Sequence, residues 1–163
     1  MMQNPVPVFT HFLTALSRLL DKAEAHAEAK RLKPEVIPNL RLIADMLPFW
    51  RQVTIACDHA KGACARLAGL EVPSFADTET TLADLRERVA KTQAFLSSIP
   101  ADAFTGAEAR TIHIKAGPRE LTFTGDHYQN GYAVPNFFFH MTTAYNILRA
   151  NGVDVGKVDF LGG

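Results

Sequence analysis

The sequence predicts a mainly α fold: an antiparallel four-helix bundle with a β-hairpin inserted before the last helix. Three observations predict it. Four stretches carry apolar residues at helical spacing, separated by connectors rich in Pro and Gly. One stretch, from Thr111 to Thr124, switches to alternation on either side of Ala116-Gly117-Pro118-Arg119. No repeat, low-complexity run or interdomain linker breaks the 163 residues, so a single domain over 1–163 is expected, long enough to bury a core.

The first helix is expected over roughly residues 6 to 29, on the stripe Phe9, Phe12, Leu13, Leu16, Leu19, Leu20, Ala23 and Ala27. His11 and His26 fall near its polar side and read as solvated. Pro34 and Pro38 interrupt the helical pattern, so residues 31 to 46 read as a connector with one short helical turn. Asp45 is the expected cap of the second helix, with Pro48 in its first turn. Phe49, Val53, Ala56, Ala60, Cys64 and Leu67 give its stripe, flanked by Trp50, Gln52 and His59, and Gly69 ends it. The many alanines on this face let a neighbouring helix approach closely.

Asp77 or Thr78 is the expected cap of the third helix, whose apolar face is Leu82, Leu85, Val89, Leu96 and Ile99. Arg86, Glu87, Arg88 and Lys91 read as its solvated outer face. In the hairpin, Ile112, Ile114, Leu121 and Phe123 are expected to point inward and His113 outward. Gly125 to Val134 read as a polar, aromatic loop. The fourth helix runs from Pro135 to Val153, stopped by Asn151-Gly152, with Phe137, Met141, Ala144 and Leu148 at the centre of its apolar face. His140 flanks that face, and Phe139 falls on its outer side. The tail from Asp154 reads as a packed extended segment ending in a loose Leu-Gly-Gly.

Composition narrows the function classes. Hydrophobic residues make up 47% and charged residues 21%, and Lys plus Arg balance Asp plus Glu at 17 each. A neutral chain without a basic stripe does not predict a nucleic-acid interface. No apolar run is long enough for a membrane-spanning helix, and the start MMQNPVPVF lacks the basic-then-apolar order of a signal peptide, so the cytoplasm is the expected compartment. Cys57 and Cys64 lie about 10 Å apart along one helix, too far for a bridge, and read as small buried thiols.

No GxSxG elbow, phosphate-binding glycine loop, HExxH or CxxC is present. The arrangement that carries chemistry is His59 with His140, each mid-helix at the edge of an apolar stripe. Antiparallel helices can bring both imidazoles to one level of the bundle, where they suit a divalent ion such as Zn or Ni. A catalytic zinc takes three protein ligands, and the position four after His140 is Ala144. Asp126 and His127 in the preceding loop, or Asp58, are the candidates for a third ligand. The alternative is that both histidines are hydrogen-bonded residues at the edge of the core. Trp50, Tyr128, Tyr132 and Tyr145 are candidates to line a pocket, with Trp50 and Tyr145 the expected contacts of a small-molecule ligand.

The phrases DMLPFWRQVTIACDHAKGACARLAG and PNFFFHMTTAYNILRANGVDVGKVDFLGG closely resemble domain-of-unknown-function family 1993, within the DinB/YfiT-like four-helix superfamily. The resemblance covers nearly the whole chain. It implies an up-and-down-type bundle with a crossover, and often a homodimer, to which an outward Phe139 would contribute. Many members of the superfamily look like metalloproteins, with one histidine from the second helix and an HxxxH pair on the fourth. Some are thiol-dependent transferases, isomerases or hydrolases. Carried over by position, His59 approximates the second-helix ligand and His140 the first histidine of the pair. Ala144 stands where the second would be. The expected function is therefore that of a binding or structural member without the complete triad. The rival is a metal-dependent hydrolase or thiol-dependent transferase with a nonstandard site around His59 and His140.

Overall fold

A computed structural model describes residues 4–163. The first long helix, Val6–Lys30, opens where the Asn4 side chain accepts a hydrogen bond from the Val6 N–H at 2.9 Å. It buries Phe9, Leu13, Leu16, Leu19 and Leu20, the stripe read from the sequence. The connector holds one helical turn, Val36–Asn39, whose Ile37 plugs into the core.

The second helix is Phe49–Ala68, closed by Gly69 in the left-handed region. Pro48 is extended (ψ 166°) and stands outside the first turn, and Asp45 is exposed and does not cap the helix. An extended residue cannot belong to a helical turn, so the start falls one residue later than the Pro48 signal suggested. Ala56, Ala60 and Ala63 are fully buried, and this small-residue face carries the most extensive helix–helix packing in the molecule, against the fourth helix.

The third helix, Leu82–Ser98, is capped by Thr81. The Thr81 hydroxyl accepts from the Asp84 N–H at 3.2 Å while the Asp84 carboxylate accepts from the Thr81 N–H at 2.8 Å. This reciprocal box satisfies two otherwise orphaned donors. The cap lies beyond Asp77 and Thr78 because the Asp77 carboxylate is held by Arg51 and Arg88. Thr81→Ala is expected to cost about 1 kcal/mol, read as a lower urea midpoint at unchanged m-value.

The hairpin, Thr111–Ala116 with Arg119–Thr124, pairs Ile112 with Phe123 and Ile114 with Leu121, so the four residues expected to point inward share one face. His113 is exposed and bonds the Thr122 hydroxyl across the strands at 3.0 Å. Residues 125 to 133, expected as a loop, are helical. A short turn, Gly125–His127, runs into a wide π-helical stretch, Tyr128–Ala133, and on into the fourth helix, Val134–Ala150. Gly125 makes this possible: a Cβ there would sit 1.8 Å from the Ala107 carbonyl oxygen. The wide turn places Tyr128 and Tyr132 one above the other, ring centroids 6.0 Å apart and planes 19° from parallel.

The tail is more ordered than its lack of period suggested. Lys157–Phe160 forms a short helix tied to the first helix. Lys22 pairs with Asp159 at 2.8 Å, Arg18 donates to the Gly162 carbonyl at 2.8 Å, and the His11 ring meets the Leu161 carbonyl at 2.8 Å. Cys57 and Cys64 are free and buried, as expected, and burial pushes the Cys57 thiol up to about 12. No helix among the described residues is long and apolar enough to cross a membrane.

Candidate functional site

The close second and fourth helices bring His59 and His140 together. Their ring centroids are 5.8 Å apart and their planes 16° from parallel. The Gln52 side-chain N–H donates to the Leu47 carbonyl at 3.0 Å, which fixes the amide so that its oxygen accepts from His140 Nδ1–H at 2.7 Å. His140 Nε2 is thereby the acceptor nitrogen of its ring. His59 meets Tyr132 at 5.9 Å, and no protein group among those described hydrogen-bonds either of its nitrogens. The His59 side chain is half-buried.

Both imidazoles are neutral at pH 7. Burial, with the neighbouring His140 second, pushes His59 down to about 4, against a smaller upward pull from Asp58. Burial also lowers His140, aided by the Arg51 guanidinium. Two neutral rings present lone pairs, and so accept hydrogen bonds or ligate a cation.

The donor set does not fit the three-histidine metal centre that the resemblance implies. Ala144 is fully buried and has no donor atom. Asp126 and His127 are exposed and turn to other partners: Asp126 accepts from Asn130 at 3.0 Å, and His127 packs on Phe123 at 5.6 Å. The Asp58 carboxylate is taken by Arg88 at 3.0 Å and Lys61 at 2.9 Å. Among the described residues no group of three or more His, Cys, Asp or Glu side chains is gathered to hold a metal.

The aromatic candidates divide. Tyr132 joins the histidine pair, and Tyr128 is buried beside it, bonded through its hydroxyl to Arg66 at 3.1 Å. Trp50 is half-buried, with the Arg51 guanidinium 5.1 Å from its ring. Tyr145 meets Phe160 edge-on at 5.8 Å and lines a cavity of about 160 Å³ with Thr142, Asn146 and Lys157. No ring contact joins Trp50 to Tyr145 among the described residues.

Sequence reading missed the charge network beside the site. Arg88 is 3% exposed, not solvated. It bonds Glu79 at 2.7 Å, Asp58 at 3.0 Å, Asp77 at 3.3 Å and the Ala76 carbonyl at 3.1 Å. Arg51 also pairs with Asp77, and buried Lys61 with Asp58, so three cations meet three anions. Lys61 and Lys91 lie 4.1 and 4.3 Å from the Phe75 ring. The network straps residues 75 to 79 onto the second and third helices. A signal was present: Arg88 stands three after Leu85 and four before Thr92, inside the buried stripe.

A family model described as Domain of unknown function (DUF1993) matches residues 1–161. The chain is also similar to the crystal structure of a DinB family member protein from Shewanella denitrificans. The two share 44% identity and a TM-score of 0.90, over 97% of this chain and 89% of that one. No curated protein matches the chain. With its four long helices, its inserted hairpin and a match over residues 1–161, the chain belongs to the DUF1993 family, with a DinB-like fold.

Proposed function

We propose that this protein is a small-molecule-binding member of its family. Its site is the neutral His59–His140 pair, and it holds no resident metal. The observation that carries the reading is the placement of the pair. Two uncharged imidazoles lie side by side, one oriented through Gln52 and the other half-buried with no hydrogen-bond partner among the described residues. Such a site takes a ligand that donates hydrogen bonds, with Tyr132 as one wall. Ala144, buried where a third donor would stand, argues against a hydrolase or thiol transferase built on bound metal. The protein works in the cytoplasm as a homodimer. Phe139, 57% exposed with its ring 5.2 Å from His140, places an apolar contact beside the site.

Metal analysis of untagged protein tests the reading, with His140→Ala alongside. The expected result is metal-free protein that stays so after incubation with Zn, Ni or Mn. Stoichiometric metal that His140→Ala abolishes would overturn it. A thermal-shift screen supplies the positive arm, because a ligand specific to the folded state raises Tm. Hits at the pair are expected to vanish in both His59→Ala and His140→Ala. Light scattering of Phe139→Glu addresses the dimer, which is expected to dissociate; wild-type protein that is monomeric at micromolar concentration refutes it.

A further inference from the structure

Three of the four long helices end with the same hydrogen-bonded closure. Leu70 N–H returns to the Ala65 carbonyl at 2.8 Å, Val153 N–H to Leu148 at 3.0 Å, and Leu32 N–H to Ala27 at 2.9 Å. The closure needs a residue in the left-handed region, where glycine is favoured. The second and fourth helices use Gly69 (φ 72°) and Gly152 (φ 84°), but the first uses Arg31 (φ 53°), the one described non-glycine residue at positive φ. The chain keeps a long cationic side chain where its backbone prefers none.

Arg31 lines a cavity of about 370 Å³ between the end of the first helix, the connector and the start of the third. Ala27, Leu32, Pro34, Ile37 and Leu82 make its apolar wall. Arg31 and Lys33 stand on it, and neither side chain has an ion-pair or hydrogen-bond partner among the described residues. Of the two acids on the wall, Glu24 is paired with Arg86 at 2.6 Å, which it shares with Asp21, and Glu28 is exposed and unpaired. Two unpaired cations thus face one unpaired carboxylate over an apolar crevice.

We propose that this cavity is a second ligand site, separate from the histidine pair, for a monoanionic amphiphile. The ligand is a free organic carboxylate with a medium-length alkyl body. The alkyl chain lies on Leu32, Ile37 and Leu82, and the carboxylate pairs with Arg31 and Lys33. Guanidinium is the better partner for the carboxylate, through parallel N–H···O bonds.

Calorimetric titration with hexanoate, octanoate and decanoate below their micellar concentrations tests the proposal. One site per chain is expected, with affinity rising about fourfold per added methylene, and with decanol binding at least tenfold more weakly than decanoate. Arg31→Gly separates this role from a structural one. Glycine suits the backbone there, so Tm should hold or rise by about 2–4 °C, while decanoate affinity falls at least tenfold. Lys33→Gln should weaken binding without changing Tm. Three results would each overturn the proposal: no binding at millimolar decanoate, equal affinity in wild type and Arg31→Gly, or decanol matching decanoate. A lower Tm in Arg31→Gly would also overturn it, since Arg31 would then be serving the fold.

Discussion

Arg88→Ala should destabilise the protein by about 3–5 kcal/mol, the scale for removing one partner of a buried ion cluster. The cost comes from what is left behind. Glu79, Asp58 and Asp77 each bond the Arg88 guanidinium, and Glu79 is nearly as enclosed as Arg88 itself. Without Arg88, Lys61 still serves Asp58 and Arg51 still serves Asp77, but Glu79 keeps a carboxylate in an enclosed place with no cation. The strap from Phe75 to Glu79 then loses both its anchor and one of the three cations around the Phe75 ring. Arg86→Ala is the internal control. Arg86 also pairs with two acids, Asp21 and Glu24, but it is half-buried where Arg88 is enclosed and both its acids are more exposed still, so the expected loss is under about 1 kcal/mol. Urea unfolding of both variants decides the matter. Equal losses for Arg86→Ala and Arg88→Ala would show that burial of the Arg88 cluster contributes nothing.

The contrast between Arg86 and Arg88 also marks where the sequence stopped being informative. Both sit in a run of charges, and a run of charges reads as a solvated face. Only the neighbours decide: the acids that enclose Arg88 come from the second helix and from the strap, outside the helix that carries it. Features set by local chemistry were legible. The four apolar stripes, the Gly69 and Gly152 stops and the hairpin with its inward face all arise from spacing and turn residues. Features set by tertiary contact were not. Residues 125 to 133 contain Gly131 and strongly polar neighbours, which read as loop. They are helical because Gly125 fits against Ala107 and because Phe123 packs on both Tyr128 and Tyr132. The cap falls at Thr81 rather than at Asp77 or Thr78 for a related reason, since Asp77 is drawn off by two arginines. The histidine pair lay between these cases. Helical level suggested that His59 and His140 could meet, but the Gln52 amide that orients His140 is visible only once the helices are packed.

That packing makes stability depend on pH. His59 ionises near 6.5 in the unfolded chain and only near 4 in the folded one, with burial the main cause. Below pH 6.5 the unfolded chain takes up a proton that the folded chain refuses, so ν is larger for the unfolded state and stability rises with pH across this window. The contribution is fully present above pH 6.5, falls as the pH drops, and levels off near pH 4. At about 1.4 kcal/mol per pKa unit, it amounts to about 3 kcal/mol. His140 is lowered as well and acts in the same direction. Asp84 and Asp159, whose carboxyls are held below their ordinary value by hydrogen bonds, lose their contribution only at more acid pH and leave the window to the histidines. Urea midpoints measured from pH 4.5 to 7.5 should therefore climb steeply for the wild type. They should climb less for His59→Gln, which retains a polar side chain of similar reach and cannot titrate. Parallel curves for the two proteins would mean that His59 takes up its proton as readily folded as unfolded.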